Sequence, residues 1–408
     1  MSAGALPPLP NLPMQLMLTL GCWLSSPFAL QCARSGLPHL NNPALRPALP
    51  EKLLAALSPH AQSQLEKALA EEAKNRAGSL LAGLLRYSQT PYSRDVSEPP
   101  AIWQRGSARL LDYGSGRAGA APLVLFVPSL INRYYILDLE EERSMLRYLA
   151  AQGLHPLVLD WGAPGPSEHG FGCEEYIAGV LLPAIEFLAR ASRQRVVLAG
   201  YCMGGVLSLA AACLKPRLLA GLALLATPWD FYCPEFAPFL IGRKWQGVLK
   251  NLIESQPQVP AEMVHLLFYL TDPWIFEQKF RRYAQLQPES RAAKDFVALE
   301  HWVNDGVPMT ARVARECLIG WAQQNQLARG LWKVAGKPIH PQKLQLPALL
   351  AIPRNDHVVP APCALPLAQL MPHAQLMHPG AGHVGMIVGS HARRELWQPF
   401  VQWIQSLE

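Results

Sequence analysis

Residues 195–214 read RVVLAGYCMGGVLSLAAACL. A β-branched apolar run, the turn Gly-x-Cys-x-Gly-Gly and a stretch of small helix-forming residues follow one another without a gap. Glycines at 200 and 204 allow a turn too tight for a residue with a Cβ, and Gly205 gives the next helix room against the strand. Cys202, at the apex, would stand clear of any sheet the strand joins. Strand, sharp turn and helix in this order expose a nucleophile, and here the nucleophile is a thiol.

From Pro122 onward, strand and helix patterns alternate around this stretch. PLVLFVPSLI, LHPLVLDWG, RVVLAGY, LAGLALLATP and LPALLAIPRND are continuous apolar runs, the pattern of strands buried on both faces of a parallel sheet. EEERSMLRYLAAQG and CEEYIAGVLLPAIEFLARAS between them carry helical periodicity, the latter with Tyr176, Ile177, Val180, Leu181, Ile185 and Leu188 on one face. The fold class is therefore α/β with a mostly parallel sheet. Between about 229 and 334 the strand signal stops. The sequence there is helical, irregular and aromatic, with Phe231, Tyr232, Phe236, Phe239, Trp245, Phe268, Tyr269, Trp274, Phe276, Phe280 and Tyr283. An insertion at this point reads as a cap, most of its aromatics forming cap core and some facing what the cap covers.

Residues 1–100 read as a mainly helical N-terminal extension and 101–408 as the catalytic domain. HAQSQLEKALAEEAKNRAGSLLAGLLRY predicts a long helix with Leu65, Leu69, Leu80, Leu81, Leu84 and Leu85 on one apolar side. The first charged residue is Arg34. The uncharged opening, with Leu16, Met17, Leu18, Leu20, Trp23, Leu24, Phe28 and Leu30, lacks the basic region of a secretory signal, and Pro27 interrupts a run short for a membrane span. It reads as surface-seeking, or as a segment docked on the main domain.

Of the 408 residues, 50% are hydrophobic and 16% charged, so the chain can bury a large core and offer an apolar surface. Its net charge of +6 is spread without a basic stripe, which argues against nucleic acid and suits an anionic substrate. The eight cysteines show neither a disulfide framework nor ligand spacing for zinc, so a reducing cytoplasm is expected. Cys213 reads as a buried helix residue.

Two further segments complete a catalytic set. Asp356 follows an apolar strand in LLAIPRNDHVVP, and His383 lies in the Gly-rich loop of MHPGAGHVGMIVG. The order nucleophile, acid, histidine is that of the α/β-hydrolase fold, whose elbow is ordinarily G-x-S-x-G. His357 and His378 read as surface or supporting residues. In that fold the oxyanion hole takes one N–H from the residue after the nucleophile and one from a loop after an earlier strand. Met203 fills the first role by position and Leu130, in VPSLIN, the second. A thiol suits a thioester substrate. Attack by Cys202 exchanges one thioester for another at nearly equal free energy and keeps the acyl group active for transfer to an alcohol, while a neighbouring His383 need only shift a modest equilibrium.

VPSLINRYYILDLEEERSMLRYLAAQGLHPLVLDWGAPG, GYCMGG, FVALEHWVNDGVP, RNDHVVP and GAGHVG, in this order, resemble the polyhydroxyalkanoate synthases over roughly residues 95–405. The run from Ile131 to Leu139 carries much of the likeness. The resemblance implies an α/β-hydrolase fold with a helical cap insertion, and a Cys202 that takes 3-hydroxyacyl groups from coenzyme A and holds the growing polyester. His383 would be the base, and Asp356 would orient His383 or help activate the attacking 3-hydroxyl. It also implies no metal or bound cofactor, and a place at the polyester granule surface, with a homodimer or a helical partner subunit both compatible. The N-terminal portion is longer than in the family's short catalytic subunits and shorter than in its long single-component enzymes. Two other readings use the same residues: a polyester depolymerase or thioesterase, and a non-catalytic granule protein, against which the complete Cys202, Asp356 and His383 set argues.

Overall fold

The computed structural model describes residues 9, 12–24, 57–114, 121–234, 246–269 and 274–407. They fall into two compact units, Met1–Ser93 with Pro273–Val297, and Arg94–Asp272 with Ala298–Glu408.

The larger unit is built on one sheet. Its strands are β1 (Ala101–Arg105), β2 (Ala108–Asp112), β3 (Leu123–Val127), β4 (His155–Asp160), β5 (Val196–Tyr201), β6 (Leu219–Leu225), β7 (Ala348–Ala351) and β8 (Gln375–Met377). They lie in the order β1-β2-β4-β3-β5-β6-β7-β8. Only β2 runs against its neighbours; every other pairing is parallel. All residues of β3 and β5 are buried, as parallel strands covered on both faces require. The five apolar runs of the sequence are β3 to β7. Strand β8 has no such run because two of its three residues are exposed at the sheet edge.

The helix expected after Cys173 forms in two parts, a π-helical stretch Glu175–Leu181 and an α-helix Leu182–Ser192. Pro183 explains the change of pitch, since it has no N–H to continue an α-helical ladder. All six residues of the expected apolar face are nevertheless buried.

The segment after β3 is fixed at both ends. Asp138, fully buried, accepts hydrogen bonds from Arg94 and Arg147 at 2.8 Å each and from the Tyr113 hydroxyl at 2.9 Å. A carboxylate so deep in the protein is tolerable only with such partners. At the other end, the Val307 N–H donates to the Ile131 carbonyl (3.1 Å), Trp302 Nε1 to the Arg133 carbonyl (2.8 Å) and the Tyr135 hydroxyl to Asp305 (2.8 Å). The INRYY and HWVNDGV motifs are thus one contact surface, which holds the loop where β3 ends.

Among the described residues between β6 and β7 the regular structure is mostly helical, with two two-residue ladders, Gln258–Val259 with Met309–Thr310 and Lys333–Val334 with Lys337–Pro338. The last helical stretch of this insertion, Ala311–Arg315, continues as a π-helix over Glu316–Gln323.

In the smaller unit the long helix is Pro59–Gln89, started by Ser58, whose hydroxyl accepts the Ala61 N–H at 3.2 Å. Its buried stripe is Ala73, Leu80, Leu84 and Tyr87, packed on helix Ile275–Gln285, which Gly83 meets backbone to backbone at Phe280. The Arg86 guanidinium lies 4.4 Å from the Tyr283 ring centre and donates to the carbonyls of Tyr283 and Leu286. The expected apolar side is thereby corrected: Leu81 and Leu85 are 50% and 58% exposed, because the packed stripe lies one position round the helix. Helix Leu12–Leu24 buries Gln15, Thr19 and Trp23 and exposes Met17. Phe28, Leu30, Phe236, Phe239 and Trp245, and the side chains of Leu18, Leu24, Phe268 and Tyr269, lie outside the described residues. Among the described residues no helix is long and apolar enough to cross a membrane.

Candidate active site

At the end of β5, Cys202 has φ 56° and ψ −125°, left-handed backbone that a residue with a Cβ adopts only when its surroundings compel it. The surroundings here are specific. The Cys202 N–H donates to the Leu225 carbonyl at the end of β6 (2.8 Å), and the Cys202 carbonyl accepts the Gly205 N–H (2.9 Å). A Cβ at Gly204 would strike the Val127 carbonyl at the end of β3, and one at Gly205 would strike the Thr227 hydroxyl. Two neighbouring strands therefore clamp the elbow, and helix Met203–Leu214 starts directly from it.

The loops after β7 and β8 bring the other two residues together. Asp356 Oδ2 lies 2.7 Å from His383 Nδ1, while Asp356 Oδ1 accepts the N–H groups of Val358 and Val359 at 2.8 Å each. The Asp356 side chain is fully buried and that of His383 is 9% exposed. Burial acts against a charge on His383. The Asp356 carboxylate and then Cys202 outweigh it, by charge and by hydrogen bonding, and hold the imidazole at a pKa of about 10. Cys202, His383 and Asp356 are thus one interacting set in the folded chain. His357 and His378 lie on the surface, the latter 3.2 Å from the Ile352 carbonyl.

One contributor escaped the sequence reading. Tyr201, just before Cys202, stacks on the His383 ring with centres 5.1 Å apart and planes 30° apart, and its hydroxyl donates to the His383 carbonyl at 3.2 Å. Burial pushes its phenol far up, so it is a neutral donor. The available signal was an aromatic ring at the last position of a fully buried strand.

Met203 is the first residue of its helix, where N–H groups have no intrahelical acceptor and the helix dipole is positive. In the loop after β3, the Ile131 N–H is taken up by Ser129 Oγ at 3.1 Å. Leu130 is 7% exposed.

Cys202 and Met203 open on a cavity of about 90 Å³, walled by Ile131, Phe231 and Met309 and, from the π-helix, Leu318 and Trp321. The exposed lining is almost wholly apolar. Phe231 is thus one insertion aromatic that faces the site. Phe276, Phe280 and Tyr283 are buried in the smaller unit, and Tyr232 and Trp274 are exposed. A wider cleft of about 600 Å³, with Lys250 and Arg315 on its rim, borders Ile319 and Gly320 of the same π-helix but includes none of the three interacting residues. Among the described residues no three His, Cys, Asp or Glu side chains are placed to hold a metal ion.

Three relatives carry the same name, poly(3-hydroxyalkanoate) polymerase subunit PhaC. The chain is 27% identical to that of Haloferax mediterranei over 307 residues, 74% of this chain and 62% of the relative. It is 28% identical to that of Thiocystis violacea over 318 residues, 76% of this chain and 88% of the relative. The protein of Synechocystis sp. is 26% identical over 314 residues, 74% of this chain and 83% of the relative. Residues 122–390, from β3 to the loop beyond His383, match the family model described as alpha/beta hydrolase fold. The chain belongs to the alpha/beta hydrolase fold family and, within it, is similar to the poly(3-hydroxyalkanoate) polymerases.

Proposed function

We propose that the chain is a polyhydroxyalkanoate synthase, which polymerises (R)-3-hydroxyacyl-coenzyme A with release of coenzyme A. The observation that carries this reading is a thiol at the elbow, backed by a buried His–Asp pair and opening on an apolar cavity. The names of the curated relatives support it.

In this reading Cys202 Sγ, as a thiolate paired with the His383 imidazolium, attacks the thioester carbonyl. The bond from that carbonyl to the coenzyme A sulfur breaks, and the departing thiolate takes its proton from His383. The N–H groups of Met203 and Leu130 would hold the oxyanion. Acylation removes the negative charge beside His383 and with it one of the influences that raise its pKa. The imidazole, having given up its proton, is then neutral and free to act as the base in the second half-reaction. It accepts the proton of a 3-hydroxyl as that oxygen attacks the Cys202 thioester, the ester bond forms and the Cys202 thiolate is restored. Asp356 orients His383 in this scheme: its side chain is fully buried, with one oxygen on His383 and the other on two backbone N–H groups.

The uncharged N-terminal segment gives the chain an affinity for the surface of the polymer granule, in the cytoplasm. Deleting residues 2–33 should lower co-sedimentation with granules and leave coenzyme A release from soluble substrate largely intact. An equal loss of thermal stability without polymer would mean that the segment only covers its own chain. The decisive test of the reaction is incubation of the purified chain with 3-hydroxybutyryl-coenzyme A. Release of coenzyme A with insoluble polymer is expected; free hydroxy acid would identify a hydrolase instead, and no release would end the reading.

A further inference from the structure

We propose that Cys173, Cys317 and Glu316 form a redox site, at which a small hydroperoxide is reduced and the two thiols become a disulfide. The site is separate from Cys202, His383 and Asp356, and the inference does not depend on the acyl-transfer reading. Cys317, half-buried, is the second residue of the π-helix Glu316–Gln323. It lines the same apolar space as Cys202, so a small molecule that reaches the one thiol reaches the other. Behind it stands Cys173, at the start of the helix that becomes the π-helical stretch Glu175–Leu181, with no exposed surface. The Cys173 thiol is hydrogen-bonded both to the Cys317 thiol and to the Glu316 carboxylate. The Cys173 N–H donates to Glu316 Oε1 at 3.3 Å across 143 positions of sequence, and a Cβ at Gly172 would strike the same oxygen. Two thiols and a carboxylate from remote segments are thus packed into one cluster, and one of its members opens on the space at Cys202.

The arrangement assigns each group a part. The Cys317 sulfur attacks one oxygen of the hydroperoxide, the O–O bond breaks, and the thiol proton goes to the departing oxygen, which leaves as an alcohol or as water. Cys317 is then a sulfenic acid. The Cys173 sulfur attacks the Cys317 sulfur, the S–S bond forms and the S–O bond breaks. Glu316 takes the Cys173 proton and passes it to the departing hydroxide, which leaves as water. Two electrons move from the thiols to the peroxide, and Glu316 ends as it began. Burial pushes the Cys173 thiol far up, so it needs a base to attack, and burial also raises Glu316 above the ordinary carboxylate range, which makes it a better one. The disulfide ties the π-helix, one wall of the space at Cys202, to the segment after β4. A second thiol contact, Cys233 with Cys363, lacks the access: these residues are 7% and 0% exposed and neither lines that space.

The test treats the purified full-length chain with hydrogen peroxide near neutral pH, caps the remaining thiols in urea with N-ethylmaleimide and reads the peptides by mass spectrometry. A Cys173–Cys317 linked peptide that dithiothreitol cleaves should form about tenfold faster, or more, than a Cys233–Cys363 linked one. Cys173→Ser should leave Cys317 as a sulfenic acid that dimedone traps. Glu316→Gln keeps an oxygen for the Cys173 N–H but takes no proton, and should slow the link about tenfold. Two variants at separate positions guard against one that fails to fold, and a melting curve identifies it. Absence of the linked peptide from the unmodified chain, equal rates for the two thiol pairs, no trapped Cys317 in folded Cys173→Ser, or an unchanged rate in folded Glu316→Gln each overturns the inference. The readout is the link and not coenzyme A release, so failure of the acyl-transfer reading would leave the result standing.

Discussion

At the elbow, Gly204 faces a backbone carbonyl of β3 and Gly205 a threonine hydroxyl, with no flexible group between. In the π-helix across the cavity, Gly320 faces the amide end of Gln326, where an added Cβ would come within 2.9 Å of a mobile oxygen. The first region is fixed by strands that surround it, and the second by side chains that can yield. Cys202, Asp356 and His383 stand on turns and loops at the ends of sheet strands, while one wall of the space beside Cys202 stands on the insertion between β6 and β7.

The largest expected effect breaks the rigid half. Cys202→Ala should lower coenzyme A release by about a millionfold, the scale on which loss of a nucleophile acts in comparable triads. Retention of a tenth of the activity would place the nucleophile elsewhere. Asp356→Asn should cost about 10⁴, as for an orienting acid whose replacement favours the wrong tautomer. Acylation itself should slow, so rapid-quench mass spectrometry should find no accumulated acyl-Cys202. Accumulation would show that the acid acts on the attacking hydroxyl.

Stability tests the comparison directly. Gly204→Ala should cost roughly 1–3 kcal/mol or more, since a backbone carbonyl must move. Gly320→Ala should stay within about 0.5 kcal/mol in urea titrations. Equal losses would mean that the two regions are equally rigid. Tyr201→Phe keeps the stack on His383 and removes one hydrogen bond worth about 0.5–1.5 kcal/mol. It should reduce kcat two- to tenfold with KM unchanged.

The pH dependence of stability tests the rigid half in another way. The pKa of His383 rises from 6.5 to about 10 on folding, so the protonated ring favours the folded state. That contribution is complete below about pH 6.5, declines as pH rises and is gone above about pH 10. The melting temperature should therefore fall more between pH 7 and 10 in the unmodified chain than in His383→Gln. Parallel curves would show that Asp356 and Cys202 do not hold the proton in place.

The central sheet was legible because β3 to β7 are buried on both faces, and such strands must be apolar throughout. Strand β8, mostly exposed at an edge, needed no apolar run and left no mark. The same logic holds for the site. Gly200, Gly204 and Gly205 announce the elbow because only glycine fits there, whereas Tyr201 looks like any aromatic residue until the loop after β8 folds over it. On the helix Pro59–Gln89, Leu81 and Leu85 were read as packed because leucine usually is; which stripe of a long helix is covered depends on where its partner lies.

What the sequence alone determined is what local stereochemistry and burial impose: an α/β chain, a tight turn with Cys202 at its apex, and an acid and a histidine in an order that one fold uses. The tertiary structure decided what depends on distance between remote segments. It placed Asp356 on His383 and on two backbone N–H groups at once, stacked Tyr201 behind the imidazole, divided the insertion between two compact units and drew Leu318 and Trp321 up to the thiol. Residues far apart in the chain meet only through packing, and the same composition can be packed to leave a wide cavity or a narrow one.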